Sequence, residues 1–365
     1  MRVLFIGPLP DPVTGHSLAC QRFLDELTKS HEVDVINLSR DNLRSGVDSF
    51  SRVKAVLGII WKVWRRQKRA QFIYLTISES VTGNLKDLFI YFVCLRKLYR
   101  MVIHLHGGSL KKLLFDKHKL LFKINRFFIG RLGGVIVLGP THVGIFSGLI
   151  SPKKIHIVSN FSSDDLLTTQ EEIFVKFRAS QLLRILFLSN FIEGKGFGEI
   201  VDAYLRLDED LKKRVFIDFA GAFESNRQKI EFLSRIEGLS QIHYHGIVQG
   251  TKKKELLSRA HLFCLPTSLS EGQPISILEA YASGCAVIAT DQGGIRDVFQ
   301  DKINGFQVEA KSPESLKNTL EHCLQNTEAL MPIATTNFTV AQKKYRTSHY
   351  HSALMNIVNR FEGLS

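Results

Sequence analysis

Glu271 and Glu279 stand eight positions apart in the stretch SEGQPISILEAYASG, with Pro274 between them. The strand-like run HLFCLP precedes them, the loop TSLSEGQ carries the first carboxylate, and ISILEAYASG reads as a helix that Gly284 stops. Pro274 suits the first helical turn, where its missing N–H costs little. The open N–H groups around residues 273–276 then make an anion site, strengthened by the helix dipole. Carboxylates accept hydrogen bonds from hydroxyls. A phosphate at the helix start, flanked by sugar hydroxyls, therefore suits the whole unit. Taken singly, Glu271 reads better as a loop cap and Glu279 as a buried structural acid. The full E-G-x-P-x-x-x-x-E pattern on a strand, loop and helix reverses that preference.

Such a site has to be held by a scaffold, and the chain alternates short β-branched or aromatic runs with helix-length stretches. RVLFIG, EVDVINL, QFIYLTI, MVIHLHG, GVIVLG and KIHIVSN read as strands in the first half. A polar stretch from about Ser162 to Gln181 interrupts the rhythm. It restarts with RILFLSN and continues through RVFIDFAG, IHYHGI, HLFCLP, CAVIAT and GFQVEA. This alternation predicts βα units and two doubly wound parallel sheets. Ligands of such sheets bind outside the carboxyl ends of the strands. Two domains presenting those edges to each other would hold the site in the cleft between them.

The chain has 365 residues, 44% hydrophobic and 23% charged, a globular profile with room for two cores. Its apolar run LFIYFVCL is far short of the roughly 20 residues that span a bilayer. The opening MRVLFIG lacks a signal-peptide pattern. Five scattered cysteines without a CxxC pair point to a reducing cytoplasm and against a disulfide framework or a zinc site. The net charge of +13 is lopsided. Residues 1–165 hold 25 Lys and Arg against 12 Asp and Glu, while 166–365 hold 23 of each. Between 51 and 131 there are 18 basic and three acidic residues. Such a surface seeks phosphate. With no nucleic-acid reading module in the sequence, an anionic membrane face is the expected partner rather than nucleic acid.

The stretch EGQPISILEAYASGCAVIATDQGGIRDVFQDKINGF resembles the signature of the large retaining glycosyltransferase family with the GT-B fold (family 4-like, glycosyl transferases group 1). That signature runs E-x7-E, a strand, a Gly-Gly turn and a later Asn-Gly. PDPVTGHSLACQRFLDEL resembles the family's glycine-bearing N-terminal loop, HLHGGS its histidine loop, IVSNFSS the turn before the second domain, and LSNFIEGKGFGEIVDAY the opening of that domain. The resemblance implies GT-B architecture: two Rossmann-like domains facing across a cleft, with C-terminal helices returning to the first. The expected boundaries are 1–165 for an acceptor-side domain, 166–182 for a linker, 183–340 for a nucleotide-sugar donor domain, and 341–365 for the returning helix.

Roles follow from the resemblance. Gly15 lets backbone approach the donor diphosphate. His106 lies near the donor sugar; His104 is a weaker candidate. Lys195 neutralises charge on the leaving diphosphate. Glu279 holds the ribose hydroxyls and Glu271 a hydroxyl of the donor sugar, while Gly272, Gln273, Pro274 and Ile275 cradle the donor. Val248 falls where the family lines its base pocket, although a core valine fits as well. Asn190 replaces the family's usual arginine, which leaves the diphosphate clamp short of a charge that Arg296 is a candidate to restore.

The implied reaction is sugar transfer with retention, by front-face substitution in which the departing phosphate takes the acceptor's proton. Two glutamates on one loop-and-helix unit fit donor gripping better than a glycosidase pair, whose carboxyls flank the scissile bond. No cofactor or metal is expected, because Lys195 and the helix dipole can stand in for a metal. The donor is a nucleoside diphosphate sugar, UDP favoured over GDP, and the acceptor a glycan or a lipid-linked molecule in surface polysaccharide or lipopolysaccharide synthesis. VLGIIWKVWRRQKRAQF (56–72) and LLFKINRFFIGR (120–131) combine aromatic and basic residues suited to an anionic bilayer. That would make the protein peripheral on the cytoplasmic face of the inner membrane. The alternative is that these aromatics pack on the sheet. Competing functions are an epimerase or phosphorylase of the same architecture, and a two-lobed binding protein.

Overall fold

The computed structural model describes residues 1–39, 49–179 and 182–363. The chain forms two compact units. One comprises Met1–Asn160, Ser270–Gln273 and Ser348–Ser365; the other comprises Phe161–Leu269 and Pro274–Thr347. The twelve strand-like stretches of the sequence all carry strands, six in each sheet, and every ladder is parallel.

The first unit holds β1 (Arg2–Gly7), α1 (Gly15–Leu27), β2 (Glu32–Asn37), α2 (Ser49–Arg66), β3 (Phe72–Thr76), α3 (Val81–Val93), β4 (Met101–His104), α4 (Lys119–Ile129), β5 (Gly134–Val137), α5 (Pro140–Val143) and β6 (Ile155–Ile157). Its strand order is β2-β1-β3-β4-β5-β6. FIYLT, MVIH and GVIV are buried along their whole length, because helices cover both faces of a parallel sheet. The order reverses between β1 and β3, so loops 8–14 and 77–80 leave the carboxyl edge at the switch point where such sheets bind ligands. Asn84 of α3 and Asn125 of α4 exchange amide hydrogen bonds of 3.1 and 2.9 Å, satisfying two buried polar side chains.

The second unit holds α6 (Gln170–Ala179), β7 (Leu183–Leu188), α7 (Phe197–Leu205), α8 (Glu209–Lys212), β8 (Val215–Ala220), α9 (Asn226–Ile236), β9 (Ile242–Tyr244), α10 (Gly250–Arg259), β10 (Leu262–Leu265), α11 (Ile275–Ala282), β11 (Ala286–Ala289), β12 (Gly305–Gln307), α12 (Pro313–Gln325) and α13 (Leu330–Lys344). The order β12-β11-β10-β7-β8-β9 puts its switch point between β7 and β10. Helix α11 is buried on nearly every side. It ends in a Schellman turn, with Gly284 at φ +63° and the Cys285 N–H donating to the Ala280 carbonyl at 2.9 Å. Pro274 is its N-cap rather than part of its first turn.

The expected linker, 166–182, belongs to the second unit. Within it α6 buries Ile173 against Ala334 and Phe338 of α13; residues 180 and 181 lie outside the described residues. Helix α14 (Thr347–Asn359) packs almost wholly in the first unit. The Tyr350 hydroxyl donates to the Ala19 carbonyl at 3.1 Å, His351 lies 2.9 Å from Glu26, and the ring centroids of Phe361 and Phe72 are 5.0 Å apart. The segment Ser270–Gln273, expected with the second domain, joins the first unit because its backbone is sewn into it.

Candidate functional site

In the first unit, the loops leaving β1, β3 and β4 carry Gly15, Glu79 and His106. Gly15 opens α1 in an exposed position directly after Thr14. Thr14 and Ser17 form a reciprocal capping box at 2.9 and 3.0 Å, which fixes the helix start. His16 follows, and its ring stacks on that of His106 at 4.3 Å between centroids. His104 lies on the other side of His106 at 3.9 Å and pairs through Nδ1 with the Tyr74 hydroxyl at 2.7 Å. Burial pushes all three imidazoles down, His16 to about 4, His104 to about 3 and His106 well below its ordinary value; the Lys86 charge adds to the effect at His16, and the neighbouring rings add to it at His104 and His106.

The loop around Glu271 is held by backbone. A methyl at Gly272 would stand 2.0 Å from the His106 carbonyl oxygen, and one at Gly108 would stand 2.3 Å from the Glu271 carbonyl oxygen. Only glycine permits both approaches. The Ser270 hydroxyl donates to the Gly108 carbonyl at 3.1 Å. The Gln273 side chain is committed to this packing. Its Oε1 accepts from the Asn160 N–H at 2.5 Å and its Nε2 donates to the Leu138 carbonyl at 3.2 Å. Its carbonyl accepts from Asn160 Nδ2 at 2.7 Å, so Gln273 positions the loop and offers a donor its backbone N–H.

Sequence reasoning passed over Glu79. Its carboxylate accepts from the Ser109 N–H at 2.5 Å and packs against Gly107, where a methyl would stand 1.8 Å from Oε2. Burial pushes this carboxyl up, the charge of Glu271 adds to the shift, and the Ser109 and Leu110 N–H groups oppose it. A glutamate after a strand gives no periodic signal.

In the second unit, the loops leaving β7 and β10 interlock. Gly194 and Gly196 flank Lys195 at φ +89° and +90°, a conformation reserved for glycine. The Gly194 carbonyl accepts from the Ser268 N–H at 2.7 Å, and a methyl at Gly196 would stand 2.6 Å from Pro266. Lys195 is therefore carried on a loop pinned at the switch point. Asn190 follows β7, and its Oδ1 accepts from the Ala222 N–H at 3.4 Å.

Glu279, 2% exposed, is met by Lys253 of α10 with an Nζ to Oε1 distance of 2.5 Å. Burial raises its carboxyl above the ordinary value while Lys253 pulls the other way. Lys253 sits in GTKKKELLSR, which reads as a solvated charge run, so its pairing was hidden. Pro274 and Ile275 begin α11, and Val248 packs against the unit's apolar core. Arg296 does not restore the charge that Asn190 lacks: its guanidinium binds Asp291, to the carboxylate at 3.0 Å and the carbonyl at 2.5 Å. The run Asp208–Glu209–Asp210 has Asp-x-Asp spacing. It lies on α8 entering β8, at the amino edge of the sheet, where Glu209 and Asp210 pair with Lys212 and Lys213.

The basic stretches of the first unit divide. Phe72 and Phe128 are buried, as packing on the sheet requires, so they are unavailable to a bilayer. Val53, Leu57, Trp61 and Trp64 share an exposed face of α2, with Arg65 over the Trp61 ring at 4.9 Å and Lys68 over Trp64 at 4.5 Å. Leu120 and Phe127 are exposed on α4. The apolar run of α3 turns Leu85, Phe89 and Phe92 outward at helical spacing, Phe92 being 66% exposed. Among the described residues no helix is long and apolar enough to cross a membrane.

Residues 169–336 match the family model described as glycosyl transferases group 1. An uncharacterized glycosyltransferase of Methanocaldococcus jannaschii is 23% identical over 284 residues, 73% of this chain and 69% of that protein. The N,N'-diacetylbacillosaminyl-diphospho-undecaprenol alpha-1,3-N-acetylgalactosaminyltransferase of Campylobacter jejuni is 26% identical over 151 residues, 41% of this chain and 38% of that one. Among solved structures, Anabaena HepE in complex with UDP and glucose superposes with a TM-score of 0.75 at 15% identity, over 99% of this chain and all of that one. The fold is that of the GT-B glycosyltransferases, and residues 169–336 are similar to the glycosyl transferases group 1.

Proposed function

We propose that the protein is a retaining glycosyltransferase that moves a sugar from a nucleoside diphosphate sugar, UDP before GDP, to a lipid-linked or glycan acceptor at an anionic membrane face. The observation that carries the reading is the second unit's switch point, where a pinned G-K-G loop and the buried Glu279 lie on the two halves of one α/β sheet. A diphosphate needs a fixed cation and a ribose needs a fixed acceptor pair, and Lys195 and Glu279 supply one each.

In this reading Glu279 grips the ribose hydroxyls; burial pushes its carboxyl up and Lys253 pulls it back toward the ionised form. Val248 borders the base. The backbone of Gly272, Gln273, Pro274 and Ile275, with Gly15, approaches the diphosphate. Glu271 orients a sugar hydroxyl. His106, held neutral, presents its ring and carbonyl near the anomeric carbon. Lys195 stabilises the charge that grows on the leaving diphosphate, Asn190 adds uncharged donors, and that phosphate accepts the acceptor's proton. No side chain serves as nucleophile. Catalysis then comes from positioning and electrostatics, with no metal required.

Outward apolar residues on α2, α3 and α4, with exposed basic residues beside them on α2 and α4, support a membrane-surface acceptor. The Campylobacter relative is named for a diphospho-undecaprenol-linked acceptor, which favours a lipid-linked acceptor here in surface polysaccharide or lipopolysaccharide synthesis. The cytoplasmic face of the inner membrane is the matching location.

The test is UDP release from UDP-sugars with and without extracted polyprenyl-diphosphate glycans, with NMR of the new linkage. Acceptor-dependent release with an unchanged anomeric configuration is expected. Inversion would refute retention, and donor conversion without any acceptor would indicate an epimerase.

A further inference from the structure

His16 and Cys20 are four residues apart on α1 and so share one face of that helix, and His106 follows β4 beside them. One donor atom from each, two imidazole nitrogens and a sulfur, lies within 4.8 Å of the others. The cysteines read as scattered because the cluster joins His16 and Cys20 to a histidine 86 or more positions further on; spacing alone cannot reveal it.

Two further observations mark the cluster. The Nε2 atoms of His16 and His106 are buried and have no hydrogen-bond partner, as is that of His104 behind them. A buried polar nitrogen without a partner is an unmet demand, and the two that lie with the Cys20 sulfur can meet it through one shared ligand. The scaffold is rigid: α1 is fixed by its capping box and His104 by Tyr74. In a tetrahedral site with metal–nitrogen bonds of about 2.0 Å and metal–sulfur bonds of about 2.3 Å, donor atoms stand about 3.3–3.6 Å apart. A closure of about 1.5 Å at most, within the reach of side-chain rotation, would complete the geometry.

We propose that His16, Cys20 and His106 form a binding site for a soft divalent cation of the zinc class, and that filling it withdraws His106 from sugar transfer. Two imidazoles and a thiolate select zinc over magnesium or calcium, which prefer oxygen. Three protein ligands leave the fourth position to water. Binding exchanges the Cys20 S–H bond for a sulfur–metal bond and releases the proton to solvent, so affinity rises with pH. The site is inhibitory and regulatory, because His106 held by a cation is no longer free to serve the sugar. The binding half stands without any assumption about the reaction; the inhibitory half rests on the role given to His106 above.

The experiment titrates cobalt(II), as a spectroscopic substitute for zinc, into the reduced, chelator-stripped full chain. One equivalent should raise a thiolate-to-cobalt charge-transfer band that zinc then abolishes. Cys20→Ser should remove the band while the other four cysteines remain. His16→Gln, on a partly exposed helix position, should weaken binding by more than the about tenfold that even an outer-shell partner costs, and it carries the test if Cys20→Ser does not fold. No band, or a band unchanged in both variants, overturns the site. In parallel, the ratio of UDP release with and without zinc should fall in wild type and approach one in Cys20→Ser. A band with no effect on that ratio overturns the role of His106 in the reaction and leaves the metal site standing.

Discussion

Replacing Lys253 by methionine isolates the electrostatics of the ribose grip. The ammonium lies 2.5 Å from a carboxylate that is 2% exposed, and it is the main influence opposing the upward push of burial on that carboxyl. Lys253→Met keeps most of the stem's packing and leaves a buried acid without its cation. Removing one partner of a buried pair costs about 3–5 kcal/mol. Glu279→Gln keeps a neutral acceptor beside a lysine that reaches water, so its cost should stay near the about 1–3 kcal/mol of a disturbed buried polar group. The double variant should cost less than the two singles added, because the second change removes the charge the first had stranded.

The pH dependence gives the sign. Loss of Lys253 raises the folded carboxyl further above the 4.5 of an ordinary glutamate. The folded chain then binds more protons than the unfolded chain, so stability falls as pH rises, by about 1.4 kcal/mol per pH unit. The gap from wild type opens above the pH where the wild-type carboxyl ionises and levels off at its full size once the variant's own carboxyl ionises. Glu279→Gln should show no such slope. Urea unfolding between about pH 5 and 9 reads all three variants. A loss for Lys253→Met below about 1 kcal/mol, with no pH slope, would refute the account of this pair.

Three further outcomes follow from the first unit. Gly272→Ala pushes a methyl to within 2.0 Å of the His106 carbonyl; it should cost about 1–3 kcal/mol by overpacking and about a hundredfold in UDP release through a displacement near 1 Å, read by unfolding and initial rates. Wild type should lose stability on acidification from pH 6.5 toward 4 more steeply than His104→Asn, because the unfolded imidazole takes up a proton that the folded one refuses; the difference is about 1.4 kcal/mol per pH unit. Replacing Arg65, Lys68 and Arg69 by glutamine should weaken binding to phosphatidylglycerol vesicles about a hundredfold, at about 1 kcal/mol per charge, and Phe89→Ser with Phe92→Ser should weaken it further. Arg66 is left in place because its guanidinium donates to the Val35 carbonyl at 2.7 Å.

The sheets were legible because buried parallel strands are short, continuous apolar runs, and runs such as FIYLT and LFCL admit little else. The helix after Pro274 and its stop at Gly284 were legible from local chemistry alone. What stayed hidden depends on long-range pairing. Lys253 looks like one more solvated lysine until α10 brings it to Glu279, 26 residues away in sequence. Glu79 serves two backbone N–H groups 30 residues on. The cut between buried Phe72 and exposed Trp61 cannot be drawn from an aromatic count, since it turns on which face of the strand or helix meets the sheet. The segment 166–182 read as a linker because its buried apolar residues Leu166 and Ile173, seven positions apart, are too few for a periodic signal.

The central claim is that the second unit binds a nucleoside diphosphate through Lys195 and Glu279. Thermal unfolding with UDP, GDP, ADP and dTDP, for wild type and Glu279→Gln, tests it most directly. At about 100 times its dissociation constant the right nucleotide should add about 2.7 kcal/mol of stability, with UDP the strongest and the gain reduced in the variant. No shift with any of the four, or an equal shift in Glu279→Gln, would contradict the account.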